Sequence, residues 1–342
     1  MTESAGSPAG SGPGGTGGRR PRSVPDLVEA ARAGDPRALG RLISLVEDDS
    51  PALREVAAAL AHHTGDAEVI GITGAPGVGK STCTSALVTA FRTAGRRVGV
   101  LAVDPSSPFS GGALLGDRVR MQDHATDPEV FIRSMAARGH LGGLAAATPQ
   151  ALRVLDAAGC SVVLVETVGV GQSEVEVAGL ADTTVVLLAP GMGDAVQVAK
   201  AGLLEVGDVY VVNKADRDGA DRLGRDLRQM LSLGEHAEGD WRPPIVETVA
   251  STGEEIDKLV AVVSDHRAHL RDTGELVRRR TRRAREEIES LALVDLRRRL
   301  DLLPRDRRLD ALAEKVLAGD LDPYRAADEL VAEITGVPHR DR

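Results

Sequence analysis

Residues 74–82 have the types and spacing of a phosphate-binding loop. They read GAPGVGKST, follow a β-branched run and precede a helical pattern, which is the context that the G-x-x-x-x-G-K-[S/T] motif requires. Glycines let backbone N–H groups turn toward phosphate oxygens, and the helix N-terminus adds partial positive charge. We expect Lys80 to reach the β- and γ-phosphates and the Ser81 hydroxyl to bind Mg²⁺. The predicted phosphate-binding residues are Gly74, Ala75, Pro76, Gly77, Val78, Gly79, Lys80, Ser81 and Thr82.

A second motif, Asn213-Lys214-Ala215-Asp216, follows the run VYVV and predicts a guanine site. The Asp216 carboxylate can accept hydrogen bonds from both N1–H and the exocyclic amine of guanine. Adenine offers no matching pair of donors, so the carboxylate would lose its hydrogen-bond partners against that base. We expect the Lys214 stem to cover one face of the base and Asn213 to tie this loop to the phosphate-binding loop. GTP and GDP are therefore favoured over ATP.

Three carboxylates are predicted to lie near the magnesium ion. The run SVVLVE ends in Glu166-Thr167-Val168-Gly169, where many GTPases have Asp-x-x-Gly. We expect Glu166 to hold Mg²⁺, through water, and the Gly169 N–H to contact the γ-phosphate. Asp104 ends the run VGVLAVD, and Asp117 lies in LLGDRVRM, where a solvated loop carboxylate is the alternative reading. The Pro/Ser/Gly-rich segment between these two fits a loop that the γ-phosphate orders.

The sequence does not assign the group that activates water. Gln172 lies near the Glu-x-x-Gly segment and is a candidate for orienting water, and Arg118 and Arg120 are candidates for contacting the phosphates. Residues 190–200, PGMGDAVQVAK, follow another strand end and form a candidate further switch, although an ordinary helix start fits equally well. The candidate catalytic residues are Lys80, Glu166, Gln172 and Lys200.

The elements that must position these residues alternate between short β-branched runs and helical patterns. Strands that are apolar throughout and separated by helices predict an α/β fold with a mostly parallel sheet covered on both faces. Ligands bind at the carboxyl ends of such strands, where all the motifs above lie. The predicted strand runs are EVIGIT, RRVGVLAVD, SVVLVET, TTVVLLAP and DVYVVNKAD.

Composition divides the chain into four segments. Residues 1–22 are rich in Gly, Ser and Pro and predict a disordered tail. Residues 23–64 show helical spacing, with Asp35-Pro36 and Ser50-Pro51 as N-cap and first helical position, and predict a helical extension. Residues 65–267 form the nucleotide-binding domain, and 268–342 form an Arg- and Leu-rich helical arm.

The arm carries a stripe at helical spacing that predicts an amphipathic helix. A subunit interface and packing onto its own domain are the two ways to cover that stripe. Its members are Leu276, Val277, Arg280, Ile288, Leu291 and Val294.

Composition also restricts the partners and the compartment. The net charge of -9 argues against a general nucleic-acid binder. Cys83 and Cys160 are the only cysteines, too few for a disulfide scaffold, and predict buried thiols in a reducing compartment. No apolar run approaches the roughly 18 residues that span a bilayer, and no apolar leader is seen. We therefore expect a cytoplasmic protein without a membrane partner.

The motifs GAPGVGKST, VDPSSPFSGGALLGDRVRM, ETVGVGQSE, PGMGD and NKAD occur in this order. From about residue 26 to the C-terminus the chain closely resembles the MeaB/ArgK-type P-loop GTPases, the chaperones of adenosylcobalamin-dependent acyl-CoA mutases, chiefly methylmalonyl-CoA mutase. The resemblance implies a P-loop GTPase core with an N-terminal helical extension and a C-terminal helical arm that forms a homodimer. It also implies slow GTP hydrolysis that the mutase accelerates, and control of adenosylcobalamin transfer from an adenosyltransferase into the mutase, which is protected from inactivation.

The resemblance carries over to individual residues. It implies phosphate and magnesium roles for Lys80 and Ser81, a carboxylate cluster around the metal, and a three-residue guanine site. The carboxylates are Asp104, Asp117 and Glu166, and the guanine-binding residues are Asn213, Lys214 and Asp216. The last guanine loop departs from the usual Ser-Ala, because Val249 supplies no hydroxyl, although the Ala250 N–H is still expected to bond the guanine oxygen.

Two other functions compete with this reading. A GTPase that delivers nickel to a metalloenzyme would need His- or Cys-rich sites, and the eight histidines show no metal-ligand spacing. A binding module with a purely structural nucleotide would retain GDP and show no partner-dependent rate. The older description of some relatives, an ATPase of arginine transport, conflicts with Asp216.

Overall fold

Helices precede, alternate with and follow the strands in the computed structural model of the chain. It describes residues 22–48, 50–105, 124, 126–137, 147–167, 173–191, 202–234, 237, 239–302 and 305–335. The strands are β1 (Glu68–Gly74), β2 (Val98–Pro105), β3 (Val130–Ala137), β4 (Val162–Thr167), β5 (Thr183–Leu188), β6 (Val209–Asn213) and β7 (Ile245–Thr248). The helices are α1 (Val24–Arg32), α2 (Pro36–Glu47), α3 (Leu53–Leu60), α4 (Lys80–Thr93), α5 (Thr148–Ala157), α6 (Ser173–Leu180), α7 (Leu203–Val206), α8 (Ala220–Leu231), α9 (Ile256–Asp272), α10 (Glu275–Leu302), α11 (Arg305–Ala318) and α12 (Pro323–Thr335).

The strands form one sheet in the order β3-β2-β4-β1-β5-β6-β7, and every pairing is parallel. The parallel α/β architecture predicted from the sequence is confirmed. Since all strands run the same way, the loops after β1, β2, β4, β5 and β6 meet at one edge of the sheet. That edge is where the predicted nucleotide motifs lie.

The two edge strands, β3 and β7, are absent from the predicted runs. β7 has only four residues, which alternate between half-buried and buried. β3 contains Arg133 and Ser134, and the Arg133 Nε lies 3.1 Å from the Glu47 carboxylate on α2. Edge strands are buried less completely than interior strands, so neither shows the apolar run on which the strand prediction depended.

Both faces of the sheet are covered by helices. One core cluster joins α1–α3, α5 and α6 to one face, which includes Val69, Val103 and Val165. A second cluster packs α4 and α9 against the other face, which includes Ile72 and Leu187. The low aromatic content of 2% means that aliphatic side chains supply almost all of this packing.

The N-terminal helices begin at polar caps. Ser23 and Asp26 form a reciprocal capping box on α1, and the Asp35 carboxylate accepts from the backbone N–H groups that follow Pro36 on α2. The predicted start at Pro51 is wrong by two residues, because α3 begins at Leu53 without a side-chain cap. These caps satisfy N–H groups that have no partner within the helix.

The C-terminal arm is fixed to the amino-terminal edge of the sheet by ion pairs. On α10 the Arg279 guanidinium bonds both Asp208 oxygens at 2.9 Å, and Arg280 bonds both oxygens of Asp182 at 3.1 and 2.6 Å. Farther along α10, Glu287 accepts from Arg153 on α5 at 2.6 Å. One face of the arm therefore packs onto its own domain, and Arg280, which the sequence placed in the apolar stripe, lies on that face.

Asp208 lies at the centre of this joint, the set of ion pairs between α10 and the start of the strands. The His266 Nε2 atom of α9 lies 3.3 Å from Asp208 Oδ1, and the Trp241 Nε1–H donates to the Asp208 carbonyl at 2.8 Å. Burial alone would raise the pKa of Asp208, but hydrogen bonds from His266 and Arg279 outweigh it and hold that pKa below its ordinary value. The carboxylate is therefore charged in the folded protein and well paired.

Several apolar residues of α10 are exposed to solvent. Val277 and Ile288 are each 68% exposed and Leu291 is 54% exposed, and Leu293, Val294 and Leu296 are exposed as well. We call these six residues the outer arm surface. Across the described part of the chain, no helix has the length and apolar character needed to cross a membrane.

Replacing Asp208 by Ala is expected to lower the free energy of unfolding by about 3 kcal/mol, because Arg279 and the Thr184 N–H would lose a buried partner. Urea denaturation at pH 7 measures this. The matched control is Asp226→Ala, whose carboxylate is 54% exposed and pairs only within α8, with an expected change below about 0.5 kcal/mol.

The pH dependence follows from the lowered pKa of Asp208. A carboxylate with a lower pKa in the folded state stabilises the protein above its unfolded pKa, and this stabilisation is lost as the pH falls through the folded pKa. The difference between the wild-type protein and Asp208→Ala should therefore shrink below about pH 4. A difference that stays constant down to pH 2 would contradict the assignment.

Candidate active site

The phosphate-binding loop joins β1 to α4, and its three glycines all have positive φ; at two of them a Cβ would also collide with a neighbour. Gly74 has φ +140°, and a Cβ there would collide with the Leu187 carbonyl of β5. Gly79 has φ +99°, and a Cβ there would collide with the Asn213 side-chain amide. Only glycine permits both the conformation and these close approaches.

Lys80 is buried at the start of α4. Its Nζ atom donates to the carbonyl oxygens of Gly74 at 2.7 Å and Ala75 at 3.1 Å, so the side chain curls back along the loop. This places the ammonium group within the loop that the sequence predicts to surround the phosphates. Pro76 and Gly77 at the tip of the loop and Thr82 on α4 are exposed.

Ser81 and Glu166 are brought together by α4 and β4. The Ser81 hydroxyl donates to Glu166 Oε1 at 2.6 Å, and both side chains are buried. An oxygen-only pair of this kind suits a hard cation such as Mg²⁺. The neighbouring thiol of Cys83 is fully buried, and burial, with a smaller effect of the Glu166 charge, raises its pKa to about 12. That thiol stays protonated and is not a nucleophile.

The end of β2 lies beside the end of β4. Ala102 pairs with Glu166 in the parallel register, so Asp104 follows two residues later along the same edge. The backbone of Asp104 is part of β2, but its side chain is outside what the structure describes. Six other candidate site residues lie outside the described residues altogether: Asp117, Arg118, Arg120, Gly169, Gln172 and Lys200.

Asn213, the only asparagine of the chain, connects three loops. At the end of β6 its Nδ2 donates to the Val78 carbonyl at 2.8 Å. Its Oδ1 accepts from Thr248 Oγ1 at 3.3 Å and from the Ala250 backbone N–H at 3.1 Å. The side chain is buried, and it links the phosphate-binding loop, the Asn-Lys-Ala-Asp loop and the loop after β7.

The guanine loop brings Lys214 and Asp216 to the same edge. Lys214 has φ +58°, a conformation that costs free energy in a non-glycine residue and marks functional sites, and its Nζ donates to the Gly77 carbonyl at 2.7 Å. Asp216 is exposed. The lysine stem therefore bridges from β6 to the phosphate-binding loop beside an accessible carboxylate.

The backbone N–H of Ala250 has a different hydrogen-bond partner from the one expected. This N–H, expected to bond the guanine oxygen, donates here to Asn213. Val249 and Ala250 are both buried, and the Thr248 hydroxyl also bonds Asn213. The loop is thus held by Asn213 and Thr248, so it does not depend on the hydroxyl that Val249 lacks. Sequence reasoning missed Thr248, although its place just before the expected loop pointed to it.

These loops have the order and geometry of a guanine-nucleotide site, and the sequence matches the family described as "Methylmalonyl Co-A mutase-associated GTPase MeaB" over residues 39–302. The chain belongs to the MeaB family. As a MeaB-family P-loop GTPase it hydrolyses GTP.

Relatives of this MeaB-family chain support the assignment over most of its length. A putative GTPase of Pyrococcus abyssi is 47% identical over 315 residues, which cover 92% of this chain and 97% of the relative. The mitochondrial methylmalonic aciduria type A homolog of Mus musculus is 36% identical, covering 77% of this chain and 64% of the relative. The GTPase ArgK of Escherichia coli is 35% identical, covering 74% and 79%.

A solved structure shows the same fold as this MeaB-family chain. The crystal structure of a LAO/AO transport system kinase matches with a TM-score of 0.67 and 27% identity, covering 91% of this chain and 97% of that chain. The family of the chain and its α/β P-loop GTPase fold, both predicted from the sequence, are confirmed.

Replacing Asn213 by Ala is expected to weaken GDP binding by roughly ten- to a hundredfold, because buried polar groups in two loops would lose their partner. Equilibrium titration with a fluorescent GDP analogue measures this. Gln229→Ala, which removes an exposed amide on α8, is the control and should bind as the wild-type protein does. Equal affinity of Asn213→Ala and the control would refute the linking role of Asn213.

Proposed function

We propose that this GTPase is a chaperone of an adenosylcobalamin-dependent acyl-CoA mutase, most directly methylmalonyl-CoA mutase. The single observation that carries the proposal is the match to a mutase-associated GTPase family over residues 39–302. The mouse relative, named for methylmalonic aciduria, points to the same metabolism. In this function GTP hydrolysis controls transfer of adenosylcobalamin from an adenosyltransferase into the mutase and protects the mutase, in the cytoplasm.

The contacts of Lys80, Ser81 and Glu166 support the roles that we propose for them. Lys80 binds the β- and γ-phosphates from within its loop, and the Ser81 hydroxyl and the Glu166 carboxylate, 2.6 Å apart, hold Mg²⁺. When bound, Mg²⁺ neutralises charge on the phosphate oxygens. Asp104 and Asp117 are proposed to complete the carboxylate cluster.

The remaining roles complete the switch. We assign Gly169 to the γ-phosphate, Gln172 to the attacking water and Lys200 to a further switch segment. Phosphoryl transfer depends on positioning and electrostatics. A protein whose site is complete only when a partner is bound is therefore expected to hydrolyse GTP slowly on its own. A partner that orders these residues would raise kcat.

Guanine selectivity is assigned to three residues of one loop. The exposed Asp216 carboxylate accepts from N1–H and the exocyclic amine, and the Lys214 stem covers the base. Asn213 ties this loop to the Val78 carbonyl of the phosphate-binding loop, which supports a guanine loop that is already held by contacts within the protein. The Ala250 N–H reaches the guanine oxygen while it also bonds Asn213, and this shared hydrogen bond is weaker than an undivided one.

The decisive experiment is steady-state GTP hydrolysis by the purified protein, alone and with methylmalonyl-, isobutyryl- and ethylmalonyl-CoA mutases. We expect methylmalonyl-CoA mutase to raise kcat by at least about tenfold, a loss of about 1.4 kcal/mol from the barrier. Lys80→Ala is the control and should hydrolyse GTP neither alone nor with a mutase. If none of the mutases stimulates a protein that still binds GTP, the chaperone function is wrong.

We also propose a homodimer formed through the outer arm surface. Large exposed apolar surfaces on one helix are typical of protein interfaces, and the inner face of α10 is already bound to its own domain. The chain is therefore expected to show twice its mass of 35.8 kDa in solution. Sedimentation at micromolar concentration measures this.

The double substitution Ile288→Glu and Leu291→Glu should convert the dimer to a monomer, because it places charges on the outer arm surface. The control is Leu233→Glu, which adds a charge at a residue that is 79% exposed and lies after α8. A monomeric wild-type protein, or a dimer that both variants keep, would contradict the proposal.

A further inference from the structure

Two buried hydroxyl groups meet where the strands of the site end. Thr73 precedes Gly74 at the end of β1, and Thr167 follows Glu166 at the end of β4. Both side chains are 0% exposed, and Thr167 Oγ1 donates to Thr73 Oγ1 at 3.2 Å. None of the roles proposed above uses this pair.

The hydroxyl pair continues the sheet by one step beyond its backbone pairing. The last residues of β1 and β4 that pair in register are Ile72 and Glu166. Thr73 and Thr167 are the next residues on each strand, and their side chains bond each other there. Thr167 Oγ1 also lies 3.5 Å from the Ile72 carbonyl. The end of β4 is thus held to β1 at the last position before the two loops begin.

Packing alone does not require these hydroxyls. The other residues of β4 before Glu166 are Val162, Val163, Leu164 and Val165, and all are buried. Valine has nearly the shape of threonine and no polar atom to satisfy, whereas a buried hydroxyl costs free energy unless it is hydrogen-bonded. Because the Thr73 hydroxyl accepts a hydrogen bond from the Thr167 hydroxyl, the arrangement adds a directional bond at a place where valine would give only contact.

The pair lies on the opposite face of the sheet from the predicted magnesium site. Neighbouring residues of a strand point to opposite faces, and Glu166 points to Ser81 on α4. Thr167 therefore points toward the face that α6 covers, where Val177 lies close to Gly71 of β1. The backbone that carries Glu166 is held from one face by the hydroxyl pair and from the other by Ser81.

We propose that Thr73 and Thr167 are positioning residues for GTP hydrolysis. Their hydrogen bond fixes the end of β4 against the phosphate-binding strand and so sets where the Glu166 carboxylate meets the metal. A shift of that carboxylate weakens Mg²⁺ binding and slows phosphoryl transfer, which depends on positioning. The inference rests on the proposed assignment of Glu166 to Mg²⁺.

The test uses Thr167→Val, Thr73→Val, the double variant and Thr167→Ser in the full chain. Two quantities are measured: kcat and KM for GTP, and the Mg²⁺ concentration that half-maximally slows release of a fluorescent GDP analogue. Each valine variant should lower kcat and raise that Mg²⁺ concentration by roughly five- to tenfold, the size of one hydrogen bond. KM for GTP, and the affinity for GDP in the presence of EDTA, should stay unchanged. Thr167→Ser should restore kcat and the half-maximal Mg²⁺ concentration to their wild-type values.

Both single variants remove the same bond, so the double variant should lose no more than either one. Thr89→Val, the same change at an exposed site on α4, should behave as the wild-type protein does. The proposal is overturned if Thr167→Ser and Thr167→Val have the same effect, or if the losses in kcat of the two single valine variants multiply in the double variant. It is also overturned if kcat falls with no change in the Mg²⁺ requirement.

Glu166→Ala separates this proposal from the assignment on which it rests. If this variant leaves the Mg²⁺ requirement unchanged, the assignment of Glu166 fails. If it raises the requirement while the threonine variants do not, only the positioning role fails. Thermal unfolding of every variant confirms that the proteins are folded at the assay temperature.

Discussion

Two aspartates that precede strands fix the stagger of the sheet on which the nucleotide loops depend. Asp182 donates its N–H to the Val69 carbonyl at 2.8 Å and accepts the Val69 N–H on its carboxylate at 3.1 Å. Asp208 repeats this arrangement with Thr184, at 2.9 and 2.8 Å. In this way β5 is set against β1, and β6 against β5, before the first regular strand pair. A parallel sheet has no tight hairpin turns to define its register, so such side-chain contacts are an effective substitute.

Burying these carboxylates is favourable only because the C-terminal helices bring arginines to them. Burying an ion is costly unless the ion is paired with good geometry. Arg279 and Arg280 each form a bidentate ion pair, with Asp208 and Asp182 respectively. At the start of β1, a single oxygen of Glu68, Oε2, pairs with both Arg96 at 2.8 Å and Arg267 of α9 at 2.7 Å. The first turns of the arm are therefore part of the folded core. The strands that start at these ion pairs end at the phosphate-binding loop, the 189–191 turn and Asn213.

Sequence reasoning succeeded where the signal was local. Interior strands were predictable because they are apolar throughout, and the phosphate and guanine loops because each motif is contiguous. It failed at β3 and β7, whose partial exposure breaks that pattern. It also missed the joint at Asp208, because its partners His266 and Arg279 are distant in sequence and each alone resembles an ordinary charged residue. The status of Asn213 as the only asparagine was a visible signal of its linking role.

The residues of α10 are covered or exposed according to their position along the helix as well as the side they face. Arg279, Arg280 and Glu287 lie on the side that faces the domain, and their ion pairs largely cover them. Leu291 follows Glu287 by four residues and so lies on nearly the same side, yet it is 54% exposed. Near its start the helix therefore uses this side for the charges that neutralise the strand-end aspartates, whereas farther along apolar residues are left in contact with water. Apolar surface gains free energy when it leaves water, and this gain is what supports the proposed dimer.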